Sequence, residues 1–396
     1  MKVAIVHDWL VSQRGGENVL DAICELFPKA EVFTLVYSPG KVAEHIALAK
    51  KNVSLLKKIP SIERRYRHFL PVMPWVIEQF DLSGFDLVLS SSHCVAKGVI
   101  KPESAFHLSY VHAPMRYMWD RFDEYFSKER SGLITRTAAQ MFRGYLQKWD
   151  QKSATRVDAF LANSKFIASK IKTYYNREAK VVYPFCETTL FNRERIPGRN
   201  YLMVTALVPY KRVDLAIRVF NRLKKNLIVV GDGPDKVRLQ KLAGPTIDFL
   251  GAVKGSSLCD LYSRCKALVF PGVEDFGIVP LEAMASGAPV IAFGQGGVLE
   301  TVTEETGMFF YENTEDALES TLIEFERRCD LGQFDSKKCR ARGRSFPRIR
   351  FQSEYLAALR QFAPARIASS LEIPRSVTEQ LQGWSEEGLK NQSLQL

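Results

Sequence analysis

The chain has 396 residues, 46% of them hydrophobic and 25% charged, and a net charge of +11. At roughly 150 residues per domain that length predicts two domains, and the composition excludes extensive disorder. No apolar run approaches the roughly 18 residues of a membrane span, because the best stretch, Phe69 to Ile77, is short and broken by Pro71 and Pro74.

In chain order, Lys2–His7 reads as a first strand, too short and too soon polar to be a secretory signal. Gly15-Gly16 follows it after a short loop, where a glycine pair serves either a backbone approach to phosphate or an ordinary turn. Further strands are predicted at Val32–Leu35, Leu87–Ser90, His107–Val111, Ala159–Asn163 and Lys180–Tyr183, with a helix from Lys165 to Tyr175 capped by Ser164. Cys186–Asn200, carrying Pro197-Gly198 and several charges, is the expected linker. Beyond it strands are predicted at Tyr201–Leu207, Asn226–Val230, Thr246–Leu250, Ala267–Phe270 and Pro289–Ala292, separated by amphipathic stretches such as Val213–Leu223. Apolar β-branched runs alternating with helical stretches predict an α/β fold with parallel sheets. A helix is expected at Phe351–Phe362, and the polar Glu372–Leu396 has no clear period and is left unassigned. The expected organisation is residues 1–190 as an N-terminal, acceptor-side domain, 200–345 as a donor domain, 346–365 as a helix returning to the first domain, and 366–396 as a tail.

Seven cysteines, at positions 24, 94, 186, 259, 265, 329 and 339, form no CxxC pair, and His7, His93 and His107 show no ligand spacing. Reduced thiols, a cytoplasmic setting and no bound metal are expected. Charge is uneven: residues 1–180 hold 27 Lys/Arg against 18 Asp/Glu, and residues 181–396 hold 28 against 26. A basic first half points either to an anionic partner or to a surface kept for solubility. It shows no nucleic-acid recognition motif and no aromatic-basic interleaving of the base-stacking kind, so no nucleic-acid partner is expected.

The most informative segment runs from Pro271 to Val290, out of a buried strand and into a helix, with Glu274 and Glu282 separated by seven residues. Gly277 permits close approach of backbone to a ligand, and the helix N-terminus suits a phosphate. A glutamate beside such a site has hydroxyls as its useful partners, which a nucleotide sugar supplies: Glu282 suits a ribose diol and Glu274 the sugar. The alternative is that Glu282 serves only the helix end.

Here the sequence resembles the retaining glycosyltransferases of family four, which have the GT-B fold. The resemblance rests on this Glu-x7-Glu segment and extends to Val208–Arg212, Gly231–Pro234, Phe160–Ser164, Val181–Pro184 and Gly15-Gly16 with Glu17. Ser109–Arg116 and Arg121 look most like the branch containing bacterial mannosyltransferases of polysaccharide assembly. It implies two Rossmann-like doubly wound domains facing a central cleft, and a metal-independent, retaining sugar transfer in which the departing phosphate oxygen assists deprotonation of the acceptor. No tightly bound cofactor is implied beyond a GDP-, UDP- or ADP-linked sugar, with GDP-mannose favoured by the branch. The acceptor would be a glycan or lipid-linked molecule.

By the same resemblance Lys211 neutralises the donor diphosphate, His112 and Glu274 meet the sugar near the reacting carbon, and Gly15, Gly16, Phe276, Gly277, Ile278 and Glu282 contact the donor. Many members carry an arginine five residues before the lysine, where this chain has Ala206, and Arg212 is expected to substitute. Gly231-Asp232-Gly233 lacks the third glycine of a dinucleotide fingerprint and is read as a tight turn. A glycosidase would place its two carboxylates on separate elements flanking the bond, unlike this single loop. A non-catalytic nucleotide-sugar-binding protein is the alternative.

Finally, Lys50, Lys51, Lys57, Lys58, Arg64, Arg65 and Arg67 place seven positive charges in 18 residues against Glu63 alone. Leu55, Leu56, Ile59, Ile62 and Tyr66 interleave with them, and Phe69, Leu70 and Trp75 follow. One basic-apolar surface, with Lys57, Lys58, Arg64 and Arg65 at its centre, is expected to rest on anionic lipid at the inner face of the cytoplasmic membrane. A basic surface over a buried aromatic core is the other reading.

Overall fold

The computed structural model describes residues 1–120, 122 and 133–392; Arg121 lies outside them. The chain forms two compact units, Met1–Tyr183 with Ile349–Leu396, and Pro184–Arg348. Each is built on a parallel sheet with helical crossovers.

In the first unit the strands are β1 (Val3–His7), β2 (Glu31–Thr34), β3 (Lys50–Val53), β4 (Leu87–Ser92), β5 (Phe106–Val111), β6 (Ala159–Ala162) and β7 (Ala179–Val181), in the order β3-β2-β1-β4-β5-β6-β7. Every residue of β4 and β5 is buried, as expected of central strands covered on both faces. β1 pairs with β2 on one side and β4 on the other, which makes the β1/β4 crevice the switch point of this sheet. Ser164 caps the Lys165–Tyr175 helix by accepting from Ile167 N at 3.0 Å. The Arg348–Phe362 helix starts three residues before the expected Phe351 and packs Phe351 and Tyr355 against Tyr110 of β5, while Gln352 donates to Glu25 at 2.9 Å.

A buried charge is satisfied inside this unit. Lys97 Nζ lies 2.7 Å from Asp150 Oδ1 and donates to Ser153 Oγ at 2.7 Å. Asp150 Oδ2 accepts from Trp119 Nε1 and the Tyr175 hydroxyl, both at 2.8 Å. Burial pushes the Lys97 pKa down and Asp150 pulls against that, which holds the pair together.

The second unit contains β8 (Tyr201–Val204), β9 (Leu227–Val230), β10 (Ile247–Gly251), β11 (Leu268–Phe270), β12 (Val290–Phe293) and β13 (Gly307–Phe310), ordered β10-β9-β8-β11-β12-β13. Its switch point is β8/β11. The predicted helix Val213–Leu223 forms over that range and buries Val213, Leu215, Ala216, Ile217, Val219 and Phe220 on one stripe.

Two edge strands, β3 and β13, escaped the sequence reading. β3 is Lys-Lys-Asn-Val, a polar run held by Lys50 and Asn52 bonding Glu31 of β2 at 2.9 and 2.8 Å. The expected linker is no free tether: Ile196 N and Gly198 N bond the carbonyls of Ser263 and Arg264 at 3.1 and 2.7 Å, within the second unit. Part of the polar C-terminal stretch is also ordered, as a helix from Arg375 to Gln392 that follows the buried Ile367 turn.

Among the described residues no helix is long and apolar enough to cross a membrane.

Candidate functional site

In the second unit the chemistry gathers at the carboxyl ends of the strands flanking the switch point. After β8 the chain makes a tight turn at Pro209–Lys211, and Arg212 takes the left-handed conformation before the Val213–Leu223 helix. After β11 comes the loop holding Gly272 and Glu274. A Cβ on Gly272 would sit 2.8 Å from Lys211 Cα, so glycine is what lets the two loops lie against each other. The result is an ion pair between Lys211 Nζ and Glu274 Oε2, both side chains largely buried. The rings of Tyr210 and Phe270 lie 5.3 and 5.8 Å from the ammonium.

A third loop, after β12, completes the arrangement. Gly297 N donates to Glu274 O at 2.8 Å, and Gly296 bridges Glu274 with φ +89°, where a Cβ would fall 2.4 Å from that carbonyl oxygen. Three adjacent strands thus fix the Glu274 backbone while its carboxylate meets the lysine.

Gly277, left-handed, starts the Ile278–Ala285 helix. Phe276 is buried against Phe346, with ring centroids 5.8 Å apart, and Ile278 is half-buried at the first helical position. Glu282 sits one turn further in, where its Oε2 accepts the Tyr262 hydroxyl at 2.8 Å. Burial raises the Glu282 pKa to about 7, with the tyrosine hydroxyl acting in the opposite direction. Arg212 does not join the Lys211–Glu274 pair: its guanidinium reaches Asn313 Oδ1 at 2.5 Å and Asp214 at 3.5 Å.

The first unit places its expected residues at the other switch point. Gly15 and Gly16 are the first two residues of the Gly15–Leu26 helix, and Glu17 accepts from Arg14 N at 3.1 Å, closing the helix start. A Cβ added to Gly16 would touch the His112 ring at 3.8 Å. His112 Nε2 bonds Ser91 Oγ at 2.8 Å, and the same oxygen lies 3.1 Å from His7 Nδ1. Asp8, wholly buried, accepts the backbone N–H groups of His93, Cys94, Val95 and Ala96 at 2.6–3.0 Å and fixes the turn after β4. Burial drives the histidine pKa values down, His7 to about 4, His93 to about 3 and His112 well below the usual value, so all three are neutral imidazoles near pH 7. A neutral His112 offers a hydrogen bond rather than a charge.

Tyr262, Gly296, Gly297, Asp8 and Ser91 were missed by sequence reasoning. Only the glycine pair at 296 and 297 carried a local signal. The basic stretch also changes: Lys50 and Lys51 lie on β3, paired with Glu31 and with the Ala47 carbonyl, while Leu56, Ile62 and Tyr66 turn into the core. Lys57, Lys58, Arg64 and Arg65 are exposed. Among the described residues no group of three His, Cys, Asp or Glu side chains is arranged to hold a metal ion.

Two Rossmann-like parallel-sheet units, with polar residues gathered at the switch point of each, make up a GT-B-like fold. HepE of Anabaena, solved in complex with UDP, superposes with a TM-score of 0.67 at 16% identity, covering 91% of this chain and 100% of that one. Residues 189–337 match the family model described as glycosyl transferases group 1. Over that stretch the chain is similar to a glycosyltransferase group 1 domain.

Relatives include an uncharacterized glycosyltransferase of Methanocaldococcus jannaschii, 34% identical over 128 residues, which are 30% of this chain and 33% of that protein. A GDP-mannose-dependent alpha-mannosyltransferase of Mycolicibacterium smegmatis is 40% identical over 100 residues, 25% of this chain and 26% of the relative. The chain thus spans a third or less of the length of these two curated relatives.

Proposed function

We propose that the protein is a retaining, metal-independent glycosyltransferase that moves a sugar from a nucleoside diphosphate to a glycan or lipid-linked acceptor in cell-surface polysaccharide assembly. The observation that carries this reading is the Lys211–Glu274 pair at the β8/β11 switch point, where open parallel sheets bind their ligands. A cation there stabilises the leaving diphosphate as negative charge develops on it, and Glu274 is released toward a sugar hydroxyl. Glu282 holds the ribose, the departing phosphate oxygen takes the acceptor proton, and His112, Gly15 and Gly16 are the first unit's candidate donor contacts. Phe276, Gly277 and Ile278 form the loop around the donor, and Arg212 supports it from its contact with Asn313. Mannose from GDP-mannose is the first donor to test, given the mannosyltransferase relative. The test is binding and turnover with GDP-mannose, UDP-glucose and ADP-glucose. Saturable binding of one donor with acceptor-dependent nucleotide release is expected, and no binding of any of them would end the reading.

We further propose that the protein works as a peripheral protein at the inner face of the cytoplasmic membrane. Exposed Lys57, Lys58, Arg64, Arg65 and Arg67 support this, with Leu55, Val72 and Trp75 roughly half exposed nearby in sequence. Each basic side chain near anionic lipid contributes about 1 kcal/mol. Binding to anionic vesicles should fall with salt and with Lys57, Lys58, Arg64 and Arg65 changed to Ser. Equal binding to neutral and anionic vesicles, or to neither, defeats it.

A further inference from the structure

The Glu282 carboxylate is held asymmetrically. Its Oε2 receives the Tyr262 hydroxyl at 2.8 Å, and among the described residues Oε1 has no hydrogen-bond partner. Tyr262 is itself immobilised: it is fully buried, its ring meets Phe191 edge-on with centroids 5.8 Å apart, and its carbonyl accepts from Arg195 Nη1 at 3.0 Å. It belongs to the Gly255–Arg264 helix, so a separate rigid element aims a hydroxyl at one oxygen of a glutamate on the Ile278–Ala285 helix and leaves the other oxygen open.

We infer that Tyr262 is a positioning residue for nucleotide recognition, turning the Glu282 carboxylate so that Oε1 faces a ligand hydroxyl and keeping that carboxylate in its ionised, acceptor form. This rests on Glu282 being the group that holds the ribose. A carboxylate anchored through one oxygen loses little rotamer entropy when the other binds, and a charge-assisted bond is about twice as strong as a neutral one. Among the described residues no other side chain donates to the Glu282 carboxylate. From the Gly255–Arg264 helix it faces Tyr262 and Cys259, and from the segment opening the second unit it faces Cys186, whose thiol is pushed up by burial and by the carboxylate. From the Ser336–Arg344 helix, Arg340 lies against Gly287 beyond the end of the Ile278–Ala285 helix, where Arg195 also packs.

Burial holds Glu282 at about pH 7, and the tyrosine hydroxyl is the group that lowers it. Tyr262 itself stays protonated far above neutrality. Removing the hydroxyl therefore moves the Glu282 titration upward, and nucleotide affinity is lost at a higher pH than in the wild type.

The experiment titrates GDP, UDP and ADP into wild type, Tyr262→Phe and Glu282→Gln from pH 6 to pH 9, following the tightest. Tyr262→Phe should lose about threefold or more at pH 7 and recover to within about twofold of wild type at pH 9, where both carboxylates are ionised. 3-Fluorotyrosine at position 262, a stronger donor, should move the midpoint the other way and keeps the test open if the phenylalanine variant folds poorly. A loss equal at pH 7 and pH 9, or no shift of midpoint with either replacement, overturns the inference. If Glu282→Gln binds like wild type, the ribose reading itself fails, whatever Tyr262 does.

Discussion

Lys211→Ala removes the cation paired with Glu274, and its consequence for the proposed diphosphate contact can be worked through. The lysine side chain is about 10% exposed, and its ammonium is flanked by the Tyr210 and Phe270 rings and already engaged by Glu274. A charge-assisted contact to phosphate is worth about 1.5–3 kcal/mol. Because the lysine must be shared with Glu274, the lower half applies, about 1.5–2 kcal/mol, or roughly 12- to 30-fold in Kd. The loss should appear for the nucleoside diphosphate and not for the bare nucleoside, since the proposed partner is phosphate. Calorimetric titration of GDP and guanosine, or of the uridine or adenosine pair if one of those is preferred, reads this directly. Lys211→Arg should rescue in part, with a different donor geometry. Equal losses for nucleotide and nucleoside, or none, would refute the assignment.

Glu274→Gln should act oppositely in binding: with this counter-charge neutral, the Lys211 charge competes less with the protein for the diphosphate, which should bind a few-fold tighter, while turnover collapses; weaker nucleotide binding contradicts the pairing. Glu282 carries a stability signature as well. Its folded pKa of about 7 lies above the ordinary 4.5, so folding takes up a proton between those values, and stability falls as pH rises from about 4.5 to 7. Glu282→Gln should therefore raise Tm at pH 8 and leave it near wild type at pH 4.5; a gain that does not grow with pH would show that the carboxylate is not strained. Asp150→Ala leaves Lys97 buried without its counter-charge and should destabilise the protein by about 3–5 kcal/mol, read by urea unfolding, whereas replacing both residues by apolar ones should restore much of the loss. A change under about 1 kcal/mol would mean that Lys97 is neutral in the fold.

The central strands and both sheets were legible because burial on two faces writes itself as β-branched runs, as in Leu227–Val230 and Val290–Phe293. The edge strands β3 and β13 were not: β3 is stabilised by cross-strand pairs to Glu31 rather than by burial, and Lys50-Lys51 reads as surface. The meeting of Lys211 with Glu274 was only half visible. Each residue stood in a recognisable motif, but their pairing depends on Gly272 letting two loops 60 residues apart in sequence touch, which no local pattern encodes. Tyr262 was invisible for the same reason: an aromatic residue at helical spacing reads as core, and it is core, apart from one hydroxyl. Ser91 and Asp8 likewise look like strand-end polar residues until the β1/β4 crevice brings them to His7, His112 and the turn at 93–96.

The measurement that tests the account most directly follows nucleotide release and the anomeric configuration of the product by NMR, with the donor that binds best and an acceptor extract. The account predicts release that requires acceptor, survives EDTA, yields a product with the donor's configuration and is abolished by Glu274→Gln. Tight donor binding with no acceptor-dependent release would make the protein a nucleotide-sugar-binding protein, and an inverted product would contradict the retaining mechanism.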